Sequence, residues 1–363
     1  MTDRKRGRED TSGMLASVLV KRERGSVLEL QRVPQPEPGP GQAAIEIRAA
    51  AVNHLDLYGW QQHAAASDAA PRILGSDAAG VVASVGAGVE SWQPGQAVVL
   101  NPGLGCGRCE FCQRGEQSEC LQFDIVGRGV PGTFAERVVV PAENLYPKPD
   151  HLDFTAAAAL PLAHLTAWRM VFTRGGLRPG QSLLIHGIGG GVALAALQLG
   201  KLAGAQVIVT SSSEKKLDRA QELGADHLVD YSRADDLAAL VRDLTGGRGV
   251  DLAIDTVGAA TLGSSVSAVR NGGRVVVCGA TTGAEGSLDI RELFWRQVAV
   301  VGSTMGSQED FRRLMETVSA RRLVPVIDSV CPLAEAESAL DRLQQADQLG
   351  KIVLRVSESA HVA

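Results

Sequence analysis

Four cysteines, Cys106, Cys109, Cys112 and Cys120, stand in one short loop, separated by two, two and seven residues. Thiolates at such spacing close a tetrahedron around zinc, and an all-cysteine tetrahedron leaves no position for water or substrate. The expected ion, one structural Zn2+ per chain, therefore shapes a loop and activates nothing. A ferredoxin-type iron–sulfur run closes with a shorter last gap and a proline, whereas Leu121 follows the last cysteine here. Disulfides would need an oxidising compartment, and the charged opening MTDRKRGREDTSG lacks the apolar core of a secretory signal. Cys278 and Cys331 stand alone in apolar or strand-like stretches and read as small buried hydrophobes.

A second group of residues is suited to binding. The strand-like SLLIHG runs into a glycine cluster that sets Gly187, Gly190 and Ala193 at the opening of a helix. Small residues let the backbone approach a pyrophosphate, and the helix N-terminus supplies N–H groups and positive potential. Gly187, Gly190, Gly191 and Val192 are the candidate contacts. An NAD site usually carries Asp or Glu at the end of the next strand, to bind the ribose hydroxyls. That strand ends here in Thr210, Ser211, Ser212 and Ser213, with no carboxylate before Glu214. Hydroxyls followed by Lys215 and Lys216 suit a 2′-phosphate, so NADPH is the expected cofactor, with Ser212 and Lys216 at its phosphate and NAD less favoured. The competing reading makes the lysines a solvated helix turn and lets Glu214 reach a ribose.

These groups must be held by two kinds of scaffold. A chain of 363 residues with 45% hydrophobic content suggests two domains with a core each. Net charge is −5 with no concentrated basic face, so neither nucleic acid nor an anionic membrane is an expected partner, and no apolar run is long enough to span a bilayer. A cytoplasmic location is expected. Residues 1–13 read as a flexible tail. From Leu15 to about Asp150, short β runs such as AAIEIRAAAV and AERVVVP alternate with Pro and Gly clusters. From about Ala156, strands alternate with helical stretches, the pattern of a parallel, doubly wound sheet.

The cysteine loop after NPGLGCGRC, the stretch GSDAAGVVASVGAGVESWQPGQ, the turn HGIGGGV and the terminal GKIVL together resemble the medium-chain dehydrogenase/reductase superfamily over nearly the whole chain from Met14. The resemblance implies an α/β architecture: a GroES-like, mostly-β catalytic domain from residues 14–155 and 305–363, and a Rossmann doubly wound parallel sheet over 156–304. The active cleft would lie between them. It also implies a homodimer or homotetramer, in which the VAVVGS strand is where relatives often pair subunits. By the same resemblance Thr166 packs against the nicotinamide, and Gly279, Ser303 and Thr304 line its side of the cleft. Tyr231 would lie near the adenosine phosphate and Lys351 near the phosphates.

The departures are as informative. Alcohol dehydrogenases of this superfamily hold a catalytic zinc through residues whose positions here are Asn53, Ser76 and Leu162, none of them a competent ligand. Asp77, His54 and His164 stand close by in sequence, which leaves an improvised zinc site, and with it an alcohol dehydrogenase, as an alternative. Without a Lewis acid an unactivated alcohol is hard to oxidise, whereas an electron-poor acceptor needs less help. The metal-free branch that the chain resembles contains quinone oxidoreductases and 2-alkenal or enone reductases. The expected activity is thus NADPH-dependent hydride transfer to a small carbonyl, quinone or enone substrate, with Asn53, Asp56 and Tyr58 as candidates to stabilise the oxyanion and supply the proton. Asn53 and Asp56 are also spaced like a helix N-cap and its partner three residues on. A non-catalytic NADPH-binding sensor is the remaining alternative.

Overall fold

The computed structural model describes residues 13–23 and 25–356; residues 1–12 of the expected tail lie outside the described residues. The Gln42–Ala51 strand organises the first half of the chain. Its QAAIEIRAAA sequence is buried at seven of ten positions, as a strand covered on both faces must be. Along one edge it pairs antiparallel with Asp77–Val85. The other edge is shared, with Arg137–Pro141 against its first half and Lys351–Arg355 against its last three residues. The last described strand therefore completes a sheet begun by the first fifty residues, and the parallel Ile327–Pro332 strand extends it.

Residues 182–302 form a separate six-stranded sheet, parallel throughout. Its strand order is His227–Asp230, Gln206–Ser211, Ser182–Ile185, Val250–Asp255, Val269–Val277, Ala299–Gly302. The order reverses between Ser182–Ile185 and Val250–Asp255, and ligands of such sheets bind beyond the strand ends at that reversal. Both central strands are buried at every residue, the continuous apolar run that a sheet flanked by helices requires. This is the expected combination of a mostly-β domain with a doubly wound parallel sheet.

The largest core cluster joins the two sheets. Ala49 and Ala79 from one, and Leu183 and Ile185 from the other, share it with Leu160, Leu165 and Phe311. The Pro161–Trp168 helix lies in this layer and runs directly into a π-helical turn, Arg169–Arg174. Such widened turns often mark functional positions. Among the described residues no helix is long and apolar enough to cross a membrane.

Candidate functional site

The cysteine lobe is built as its spacing predicts. The four Sγ atoms of Cys106, Cys109, Cys112 and Cys120 all lie within 4.8 Å of one another, compatible with the S···S separation of about 3.8 Å in a zinc tetrahedron with Zn–S near 2.3 Å. Backbone N–H groups of Cys106 and Gln122 each donate to Cys120 Sγ at 3.3 Å, and that of Cys109 to Cys106 Sγ at 3.4 Å. The backbone N–H groups of Arg108 and Cys109 hold the Cys106 thiol below its ordinary value. The backbone N–H of Cys112 holds the Cys109 thiol down at about 6. Burial pushes Cys112 up to about 12, a proton that a bound cation displaces. The donor set thus fits a structural zinc.

The glycine turn takes the backbone where side chains cannot go. Gly187 has φ +63° and Gly189 φ +139°, and Gly190 precedes the Gly191–Leu202 helix, which no side chain caps. Its first N–H groups stay available to an anion. Two lysines flank the turn. A Cβ on Gly189 would lie 2.8 Å from Lys216 Cδ, and one on Gly191 2.9 Å from Lys351 Cδ. Lys216 Nζ donates to the Ala346 carbonyl at 2.6 Å. At the end of the second strand, exposed Ser212 accepts a hydrogen bond from the Tyr231 hydroxyl at 3.1 Å. The residues assigned to the dinucleotide phosphates thus fall into two groups, one at the turn and one at the strand end, and no carboxylate ends the second strand. The cradle fits a nicotinamide dinucleotide.

Where the resemblance implies catalytic zinc ligands, a closed network stands instead. Lys351 Nζ donates to Val52 O and to Asp77 Oδ2, each at 2.9 Å, and to Asn53 Oδ1. An ammonium has three protons, and all three are used. Asn53 Nδ2 donates to Asp77 Oδ2 at 2.9 Å, and the Leu162 backbone N–H to Asp77 Oδ1 at 2.8 Å. Both ends of the Asn53 amide are therefore occupied, with the residue 6% exposed. Asp56 serves the helix His54–Ala65: it accepts from Asn53 N at 2.8 Å and from Gly75 N at 2.9 Å. Burial nonetheless raises its carboxyl to about 7.

His164 is buried, bonded to Gln198 Oε1 at 3.3 Å, and lowered to about 4 by burial; its Nδ1 and the hydroxyl of Ser76 are buried without partners. His54 is exposed. Among the described residues, the cysteine lobe is the only group of three or more His, Cys, Asp or Glu side chains placed to share a metal. Asp77, His54 and His164 form no such group.

An open cleft of about 820 Å³ lies beyond the C-terminal ends of the parallel strands, and Tyr58, Gly279, Ser303 and Thr304 all line it. Asn53 and Asp56 are not on its wall. Thr166 is buried and is not on its wall, with its hydroxyl on Leu162 O at 2.7 Å and near Met305 Sδ at 3.9 Å. Cys278 and Cys331 depart from the expected full burial: both are partly exposed. Cys278 lines the cleft because it directly follows the Val269–Val277 strand, and burial raises its thiol to about 12, so it stays protonated at neutral pH. Three charged cleft residues were not foreseen from sequence: Glu119, Arg169 and Arg174. The two arginines ending the apolar run PLAHLTAWRMVFTR were the available signal.

Comparison with known proteins agrees with this construction. The zinc-binding dehydrogenase family profile matches residues 191–320, and that of the alcohol dehydrogenase GroES-like domain residues 39–150. A zinc-type alcohol dehydrogenase-like protein of Schizosaccharomyces pombe is 31% identical over 337 residues, covering 90% of this chain and 94% of its own. A crotonyl-CoA reductase of Streptomyces avermitilis is 29% identical over 364 residues, covering 90% and 81%. A crystal structure of an NAD-dependent alcohol dehydrogenase superposes with a TM-score of 0.90 at 44% identity, over 95% of this chain and 100% of that one. With a GroES-like sheet closed by its own C-terminal strand, a dinucleotide turn at the sheet reversal and a cysteine lobe, the chain belongs to the medium-chain dehydrogenase/reductase superfamily of oxidoreductases.

Proposed function

We propose that the chain is an NADPH-dependent reductase of quinones or activated alkenes that works without a catalytic metal. One observation carries the reading: of the positions where relatives would hold a catalytic zinc, Asn53 is bonded to the Lys351 ammonium and the Leu162 N–H to Asp77, and the three ammonium protons are all bonded to protein oxygens. A resident cation of this kind leaves no ligand set to polarise an alcohol oxygen. The name of the Streptomyces relative, a crotonyl-CoA reductase, is consistent with alkene reduction.

The bound dinucleotide supplies a hydride. The chain's own groups do the rest. The glycine turn and the N-terminus of the Gly191–Leu202 helix hold the pyrophosphate. Ser212 and Tyr231 offer hydroxyls where an NAD site would offer a carboxylate. Ser303 Oγ, buried without a partner, and Thr304 face the nicotinamide side of the cleft. Tyr58, 40% exposed on the cleft wall, donates its hydroxyl proton to the oxygen that gains charge on the acceptor.

A second reading, an alcohol dehydrogenase, has the NAD-dependent alcohol dehydrogenase structure in its favour. A third is a dinucleotide-binding sensor without turnover. Oxidation of NADPH, measured by absorbance across a panel of quinones, 2-alkenals, enones and ketones, separates the three. Turnover with quinones or alkenes is the expected result; turnover only with ketones supports the second reading, and none with any acceptor the third.

A further inference from the structure

We propose that the cysteine lobe positions the wall of the cleft, through Glu119 and Arg174. The proposal rests on the cleft being the nicotinamide site, and it is independent of which acceptor is reduced. Glu119 directly precedes the ligand Cys120 and ends a short 3-10 turn, Gln117–Glu119. The lobe therefore fixes where its carboxylate stands. Arg174 Nη1 donates to Glu119 Oε1 at 3.1 Å, and Arg174 Nε to the Gly302 carbonyl at 3.2 Å. Gly302 is followed at once by Ser303 and Thr304 on the cleft wall. Two hydrogen bonds, with a peptide bond at each end, thus connect Cys120 to Ser303 on the nicotinamide side.

A buried charge cluster anchors the same path. Arg169, 2% exposed, donates from Nη2 to Glu116 Oε2 at 2.8 Å and to Glu119 Oε1 at 3.2 Å, and from Nη1 to Asp310 Oδ2 at 2.9 Å. Asp310 in turn accepts from the Ser307 backbone at 3.0 Å and from the Thr173 hydroxyl at 2.5 Å. A buried guanidinium is stable only with its acceptors in place, so the lobe carboxylates, the π-helical turn and the segment after Thr304 have one mutual arrangement. Glu119 is shared by both arginines. It is a positioning residue, acting on the wall through Arg174.

The test uses the full chain and the variants Glu119→Gln, Arg174→Gln and their combination. Zinc content and melting temperature are measured beside the dissociation constant for NADPH, read from its fluorescence. Each single change is expected to keep one zinc per chain and to weaken NADPH binding about 3- to 10-fold, as loss of a partly exposed charge-assisted bond would. The double variant is expected to be no weaker than the worse single one, because one path is cut twice. If Glu119→Gln also sheds zinc, Arg174→Gln, outside the lobe, still gives the readout. Binding within twofold of the parent in Arg174→Gln, or losses that multiply in the double variant, would overturn the proposal. A failed acceptor screen would leave these constants untouched, so the two readings fail separately.

Discussion

Lys351 Nζ stands 2.9 Å from Asp77 Oδ2, with the two side chains 4% and 0% exposed and 274 positions apart in sequence. Removing one member of such a pair strands the other in a place without water. Lys351→Met is expected to cost about 3–5 kcal/mol in chemical denaturation, and addition of Asp77→Asn to restore part of it. A loss below about 1 kcal/mol would mean that water reaches the pair.

Asp56 makes stability depend on pH. Burial raises its carboxyl from the ordinary 3.8 to about 7, so the folded chain holds this proton more tightly than the unfolded one. The contribution is complete below about pH 4 and is lost as pH rises through 7. Asp56→Asn cannot titrate. Its stability relative to the parent should therefore rise between pH 5 and pH 8 by about 2–3 kcal/mol, and a flat difference would contradict the raised value.

Tyr58 is the one candidate proton donor of the three that lines the cleft. Tyr58→Phe keeps the ring and removes the hydroxyl. If it delivers the proton, kcat should fall about 100-fold or more with NADPH binding unchanged; an unaltered kcat would assign the proton to solvent.

Ser212, exposed at the end of the second strand beside Tyr231, should set the choice of dinucleotide. Ser212→Asp places a carboxylate where a 2′-phosphate would sit. The ratio of kcat/KM for NADPH over NADH is expected to drop about 10-fold or more; an unchanged ratio would move the phosphate away from this residue.

Metal analysis should find one zinc per chain, held by the cysteine lobe, and Cys112→Ser should lose it. Chelation should lower the melting temperature. A reproducible second equivalent would point to a catalytic metal and an alcohol dehydrogenase.

The parts legible in the sequence were those that chemistry compresses into one segment. Four thiols in a loop, a glycine turn between a strand and a helix, and Asp56 three residues after Asn53 each declare themselves locally. What the sequence concealed is made by distant segments. Asn53 looked available to substrate because nothing near it shows that Lys351 and Asp77 close on its amide. Nothing local marks Arg169, since its partners Glu116, Glu119 and Asp310 come from both sides of it in the chain. The apolar neighbours of Cys278 suggest burial, while its exposure depends on where the strand ends.

The Gly350 N–H donates to the Gly189 carbonyl at 2.9 Å, and the Lys351 stem lies along Gly191. The dinucleotide turn is therefore braced by the start of the Lys351–Arg355 strand. One short segment thus serves two structures, and a change that displaces Lys351–Arg355 would loosen the turn and the first sheet together.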